Sequence, residues 1–545
     1  MSVPATDRNT LATDAAPCKV LLIYPQFVGG SFWNYRDTCE LIGAKYPAPP
    51  LGLITVAAML PANWDIRLVD RNVEELHDAD IAWADLIMTG GMLPQQYDVM
   101  RIVGMAHAAG KPVAIGGPDV TSSPELYESA DFRILGEAEG ILDEFLAAWE
   151  RGERDGTFEA PKFQADVTTS PVPRFDLLTF HNYVQVNVQY SRGCPFTCEF
   201  CDIIELYGRK PRTKKPEQVL AELDRLYELG YRGHVDFVDD NLIGNKKAVK
   251  LVLPRIAEWQ KKKGYPFEFS TEASLNLADD AELLGMMKDA MFFAVFVGIE
   301  SPDPDVLNAT RKKQNTRRDI AESVHAIYGA GMFVLAGFIV GFDEESDRVA
   351  DGIVELIEDA AIPVCMVGLL YALPNTQLTR RLHKEGRLHA DHDVVDQGDP
   401  ADQCTAGLNF DTMRPRDKVL ADYRNVVDRV YSQEAYFGRV RKVAGLLDMS
   451  GPSGGVYMST LVHETKQLIQ LMVNTTLRQP RMRGAFWRTL IHCLVHTPRA
   501  IRPVAKMLAL YAHLGPFAGY VSSEIETQIA DVEAGVWQPP ERLAS

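Results

Sequence analysis

The chain has 545 residues, 46% hydrophobic and 24% charged, and a formal net charge of −18. That length gives room for about three domains, each with its own core, and eight cysteines are too few for a disulfide scaffold. The acidic balance argues against nucleic acid as a partner, the polar start shows no secretory signal, and no apolar run of about 18 residues suggests a spanning helix; a reducing, oxygen-poor cytoplasm fits best.

In chain order, residues 1–14 read as a disordered N-terminus. Over residues 15–150, buried-strand patterns recur at 19–25, 65–70, 85–89, 112–116 and 131–135, with helical stretches such as 95–109 between them. That alternation predicts a Rossmann-like parallel α/β sheet. Thr89-Gly90-Gly91 and Gly116-Gly117-Pro118 fall at strand carboxyl ends, where open α/β sheets bind ligands. Residues 151–183, charged and then proline-containing, read as a linker.

A second series runs over residues 184–390. Strand patterns at 184–190, 234–238, 267–271, 294–299, 334–340 and 364–370 are each followed by a helical one, at 216–229, 246–263, 280–290, 316–330, 346–359 and 376–385. Six such repeats predict a partial (β/α)6 barrel. From residue 391 the strand signal stops, and 414–447 and 462–520 predict a helical C-terminal domain. Residues 465–523 hold no Asp or Glu, yet they carry Lys466, Arg478, Arg481, Arg483, Arg488, Arg499, Arg502 and Lys506. Basic amphipathic helices with Trp and Phe can lie in a membrane interface. The competing reading is a helical cap whose arginines face the acidic domains.

The chemistry concentrates in the first loop of the barrel, where barrels place their sites. Cys194, Cys198 and Cys201 stand at Cys-x3-Cys-x2-Cys spacing. Thiolates hold iron–sulfur clusters, normally four to a cubane, so a trio leaves one iron open to a ligand that is not a cysteine. A zinc site would need a fourth ligand, and the next histidine is His234.

With Phe200 before the last cysteine, this loop resembles that of the radical S-adenosylmethionine (SAM) superfamily. The resemblance implies a [4Fe-4S] cluster on Cys194, Cys198 and Cys201. Its open iron would chelate the amino and carboxylate groups of SAM, whose cleavage gives a 5′-deoxyadenosyl radical that takes an unactivated hydrogen. Gly337-Phe-Ile339-Val-Gly341-Phe-Asp-Glu344 matches the family's Gly-x-Ile-x-Gly-x-x-Glu pattern along the adenine. Glu300 ends the fourth strand, where the family often places a ribose-binding residue; a plain surface acid is the other reading. Asp239-Asp240-Asn241 stands where many members have Gly-Gly-Glu, which leaves Asp240 as the candidate for the SAM amino group. Glu272, after the third strand, is a further candidate. No residue is assigned as catalytic.

The front domain resembles a cobalamin-binding domain, which implies that Thr89, Gly90, Gly91, Gly116, Gly117 and Pro118 approach the corrin and its tail. The usual Asp-x-His-x-x-Gly motif is missing, and the first histidine is His77. Cobalt would therefore lack a histidine lower ligand, which eases its reduction and suits methyl transfer. Together the units resemble the cobalamin-binding radical SAM family of the methylase type. The stretches after Cys201 and around His234 look like the branch that includes the bacterial hopanoid C-2 methylase.

The resemblance implies a methyltransferase acting on an unactivated carbon, with C-2 of hopanoid ring A as the leading target. Its partners would be a lipid or other apolar small molecule and an electron donor such as ferredoxin or flavodoxin. The protein would be cytoplasmic, with peripheral contact at the inner membrane and no nucleic acid. The alternatives are methylation of a tetrapyrrole or other metabolite, a non-methylating radical rearrangement, and a non-enzymatic corrinoid or redox sensor.

Overall fold

The computed structural model describes residues 16–27, 30–392 and 404–543; the N-terminal stretch 1–14 lies outside the described residues. The first sheet contains β1 (Lys19–Tyr24), β2 (Asp65–Asp70), β3 (Leu86–Gly90), β4 (Val113–Gly116), β5 (Phe132–Leu135) and β6 (Gly156–Glu159). They pair in the order β2-β1-β3-β4-β5-β6, all parallel. Val20, Leu21, Leu22 and Ile23 are all fully buried, as a strand covered by helices on both faces requires. Leu21, Ile23 and Ile115 fill one core, and Val20, Leu22 and Ala114 the other.

Strand β6 corrects the reading of residues 151–183 as a linker. It is a four-residue edge strand, Gly-Thr-Phe-Glu, whose residues alternate between half-buried and exposed. With a glycine and no apolar run, its only strong signal is its pairing with β5, which a sequence pattern does not show.

The second sheet contains β7 (Val186–Val188), then, after a short antiparallel pair of β8 (Ser191–Arg192) and β9 (Arg212–Thr213), β10 (Gly233–Phe237), β11 (Phe267–Glu272), β12 (Phe292–Glu300), β13 (Phe333–Val340) and β14 (Val364–Leu369). Strands β7 and β10 to β14 pair in chain order, all parallel, with β7 and β14 as the two edges. This is an open barrel of six strands with helices between them. The fourth barrel helix, Ile320–Tyr328, starts later than its periodicity suggests, because the Asp319 side chain caps it at Glu322 N.

Among the described residues, five helices follow the barrel: Arg416–Val430, Gln433–Leu446, Met458–Arg478, Arg483–His496 and Ile501–Glu533. The last of these joins all three units. Thr38 Oγ1 donates to Ala509 O at 2.9 Å, and His513 Nε2 lies 2.9 Å from Ser31 O. Lys506 pairs with Glu268 of β11, and Arg502 pairs with Glu464. The cap reading therefore holds for Arg502 and Lys506, whereas Lys466, Arg478, Arg481, Arg483, Arg488 and Arg499 are exposed.

The small β8–β9 pair joins the barrel to the front domain. Arg192 of β8 reaches Glu139 at 2.7 Å and Glu137 at 3.1 Å, and Arg212 of β9 reaches Glu137 at 2.7 Å. All four side chains are nearly enclosed, so losing one would strand a buried charge. Tyr183 OH adds a hydrogen bond to Asp70 at 2.9 Å.

Candidate active site

The cysteine loop leaves β8 and returns to β9. Gly193, which opens it, has φ +93°, and a Cβ there would lie 2.9 Å from Gly208 O, so only glycine suits the position. Gly193 N donates to Asp240 Oδ2 at 2.7 Å. Asp239 accepts from Tyr190 N at 3.1 Å, from Ser191 Oγ at 2.5 Å and from Ser191 N. The two aspartates at the end of β10 thus fasten the loop. Burial pushes Asp239 up to about 7 and Asp240 up to about 6.

Cys198 is buried, and Cys194 and Cys201 are partly so. Burial raises both Cys194 and Cys201 above the usual thiol range. Two amides, unforeseen in the sequence, point at the sulfurs: Asn241 Nδ2 lies 3.8 Å from Cys194 Sγ, and Gln314 Nε2 lies 3.6 Å from Cys198 Sγ. Lys312 is also buried here, with Nζ 2.6 Å from Glu300 Oε1 and 5.8 Å from the centre of the Phe200 ring. Burial opposes its charge, but Glu300 more than offsets that and holds the ammonium above its usual range. Glu300 is therefore an ion-paired buried acid, not a surface one. Among the described residues no three His, Cys, Asp or Glu side chains converge as one metal ion requires; a cubane instead needs thiolates spread over its corners.

Strand β13 runs alongside. Gly337 faces Gly298 of β12 and Met366 of β14, and a Cβ on it would lie 3.2 Å from Phe296 and 3.8 Å from Glu300 Oε2. Ile339 is half-buried. Gly341 N donates at 2.9 Å to both carboxylate oxygens of Glu345. Glu345 is 6% exposed and pushed up to about 8 by burial. Glu344 itself is exposed, so the structure does not bring it to the strand; its neighbour closes the turn. Glu272, at the end of β11, has one buried carboxylate oxygen without a hydrogen-bond partner. Burial first, then Asp236, Asp239 and Asp240, raise its pKa well above the carboxylate range.

These features suit the expected groups. Three thiols leave one coordination position open. The missing side chain of Gly337 leaves a flat strand surface beside Glu300 and Lys312. A buried carboxylate oxygen without a donor, among other acids, matches a cationic amino or sulfonium group.

In the front sheet, Gly90 and Gly116 end β3 and β4 so close together that a Cβ on Gly90 would overlap the Gly116 carbonyl. Gly91 and Gly117 continue these turns, and Pro118 begins the helix Pro118–Ser122. Thr89 is buried and donates to Ile23 O at 2.8 Å, so its hydroxyl serves the sheet. The loop after β1 is braced by residues the sequence did not single out. Gln95 Nε2 donates to Pro25 O at 2.7 Å; Asp98 accepts from Gln26 N at 2.7 Å and from Arg71 at 2.8 and 3.0 Å; Asn72 Oδ1 accepts from Phe27 N at 3.0 Å. Such bracing gives a large ligand a rigid floor.

Comparison with known proteins agrees with this arrangement. Residues 41–146 match the B12 binding domain, 188–357 the radical SAM superfamily, and 376–527 a domain of unknown function, DUF4070. An uncharacterized methyltransferase of Synechocystis sp. is 43% identical, covering 94% of each chain. The hopanoid C-2 methylase of Rhodopseudomonas palustris is 38% identical, over 77% of this chain and 78% of that one.

The chain belongs to the cobalamin-binding radical SAM family.

Its cofactors are a [4Fe-4S] cluster, SAM and cobalamin, and it is an enzyme of the radical SAM methyltransferase class. Solved structures share the fold. The cobalamin-dependent radical enzyme OxsB, with aqua-cobalamin and SAM bound, aligns over 96% of this chain and 82% of its own at a TM-score of 0.58 and 13% identity. The radical SAM methyltransferase TsrM of Kitasatospora setae aligns over 68% and 78% at 0.52 and 14%.

The three units of this radical SAM enzyme meet in an aromatic wall. Phe296 of β12 packs edge-on against Trp33 at 5.4 Å; Trp33 meets Phe32 at 5.1 Å; Phe32 meets Phe517 of the last helix at 6.4 Å. Phe517 in turn lies 6.2 Å from Tyr520. Trp33 and Tyr520 keep 44% and 38% of their surfaces exposed, so the wall still has apolar area to cover.

Proposed function

We propose that this enzyme methylates an unactivated carbon of a polycyclic apolar lipid, with C-2 of ring A of a hopanoid as the first candidate. The observation that carries the reading is the aromatic wall from Gly337 through Phe296, Trp33 and Phe32 to Phe517. It lies beside the expected adenine strand and offers flat apolar contact to a fused-ring hydrocarbon. The likeness to a hopanoid C-2 methylase supports the choice among apolar substrates.

In this reading Cys194, Cys198 and Cys201 hold the cluster, with Phe200 packed on Phe342 beside it. Asp240 and Glu272 would hold the amino group of SAM, Glu300 with Lys312 its ribose and carboxylate, and Gly337, Ile339 and Gly341 its adenine. Gly90, Gly91, Gly116, Gly117 and Pro118 support the corrin. When bound, these groups supply hydrogen abstraction from carbon and the methyl that replaces it. The chain's own part is to keep the ring against the wall, to exclude water and to hold the acids that match SAM's positive charge. A small electron carrier such as ferredoxin or flavodoxin supplies the reducing equivalents, and a hopanoid substrate calls for peripheral contact with a bilayer.

The test is anaerobic turnover of reconstituted protein with SAM, reduced flavodoxin and a hopanoid without a ring A methyl. The expected result is methylated hopanoid formed in step with 5′-deoxyadenosine. SAM cleavage with no methylated lipid would sink the substrate assignment. A parallel arm with a tetrapyrrole is warranted, because a bacteriochlorophyllide d C-12(1)-methyltransferase of Chlorobaculum tepidum is 25% identical over 66% of the chain.

A further inference from the structure

We propose that the outer face of the helices Met458–Arg478 and Arg483–His496 docks on the surface of an anionic lipid bilayer. On the first helix, Met458, Val462, Ile469, Val473 and Leu477 are 82%, 79%, 51%, 48% and 76% exposed. Their spacing places them on one helical face. Leu471 and Thr475, on the opposite face, are buried, and Asn474 donates to Leu41 O at 2.7 Å. The helix therefore packs on the molecule through one face and presents a second, apolar stripe to the outside.

The second helix repeats the arrangement. Phe486, Leu490 and Cys493 are buried, while Ile491, Leu494 and Val495 are 54%, 49% and 69% exposed. Trp487 Nε1 donates to Thr476 Oγ1 at 3.0 Å and ties the two helices together.

Charge selects the occupant. Lys466 follows Val462 by one turn along the exposed stripe; Arg478, Arg481 and Arg483 surround the turn between the helices; Arg488 and Arg499 flank the second helix. All six are exposed, and among the described residues none is ion-paired. No Asp or Glu occurs between residues 465 and 523 in a chain of net charge −18. An apolar stripe edged by unpaired cations complements lipid headgroups over acyl chains. Each Lys or Arg near such a surface adds on the order of five-fold to partitioning. Screening beyond about 8 Å keeps the acidic remainder from cancelling that attraction. No helix among the described residues is long and apolar enough to cross a membrane, so the contact is peripheral. The inference rests on exposure and charge and is independent of which substrate is methylated.

The test is co-sedimentation of the reconstituted full chain with phosphatidylglycerol-containing vesicles and with pure phosphatidylcholine vesicles. Binding should favour the anionic vesicles by about ten-fold or more and weaken with salt. Val462→Asp with Leu477→Asp, and separately Arg481→Glu with Arg483→Glu and Arg488→Glu, should each remove it. Leu251→Asp, equally exposed at 70% on the barrel helix Lys246–Lys263, should bind as wild type. Retained 5′-deoxyadenosine formation without vesicles shows that each variant is folded. Equal binding to both vesicle types, or none, would overturn the proposal. So would a dimer, seen by light scattering, that Val462→Asp with Leu477→Asp dissolves, since a second copy would then cover the face.

Discussion

At the ends of β3 and β4 the chain offers backbone: Gly90, Gly91, Gly116 and Gly117, packed so closely that a methyl group on Gly90 has no room. At the ends of β10, β11 and β12 it offers charge: Asp239, Asp240, Glu272 and Glu300, with Lys312 as the buried cation. Both places are carboxyl ends of parallel strands, where α/β sheets bind ligands. The difference fits the group proposed for each. A broad macrocycle needs a close, smooth approach, and added atoms harm it. A small zwitterion with a sulfonium needs compensating charge, and removed charge harms it.

That contrast can be broken. Cys198→Ala should have the largest effect: iron and sulfide content and 5′-deoxyadenosine should fall to background, while cobalamin still binds. Loss of cobalamin in the same variant would mean that the sites are not separable. Gly90→Ala should do the reverse. Displacing the Gly116 carbonyl should cost about 1–3 kcal/mol or more and empty the front site, read as lost cobalamin absorbance with the cluster spectrum retained.

Glu272→Gln sharpens the comparison with two opposite signs. Removing a buried carboxylate oxygen that lacks a donor should raise the melting temperature of the SAM-free protein. SAM binding by calorimetry should weaken about ten-fold, the cost of one charged hydrogen bond. A melting temperature that falls would show that Glu272 is structural.

The effect furthest from turnover is at Glu345, whose folded pKa of about 8 lies above the ordinary 4.5. A raised carboxylate pKa means that the folded state binds the extra proton. Its stabilising share is full below 4.5 and is lost as pH rises through about 8. Glu345→Gln should therefore gain on wild type, by up to a few kcal/mol, as pH is raised across that window. A difference in stability that does not change with pH would refute the shift.

Most of the scaffold was legible because parallel strands buried on both faces must be written as apolar runs, as Val20 to Ile23 and Val334 to Val340 are. Strand β6 was not, since an edge strand half in solvent needs no such run. The cysteine trio was legible from its spacing, and the structure seats it on the loop between β8 and β9. Their amide neighbours were not: Asn241 and Gln314 reach the sulfurs only after β10 and the segment following β12 are folded around the loop. Glu345 displaced Glu344 because the turn after Gly341 decides which of two adjacent acids points inward. The acid-free tail divided in two, Arg502 and Lys506 inward and six others outward, and only tertiary packing could divide it.

The helix Ile501–Glu533 also sets an order in time. His513 contacts Ser31 across 482 residues of chain, and Thr38 contacts Ala509 across 471. Phe32 and Phe517 therefore meet only after the ribosome has made the C-terminal helices. Contacts so distant in sequence form late. The front sheet, whose two cores draw on no residue past Leu177, can complete earlier, whereas the barrel shares one core with the C-terminal helices and waits for them.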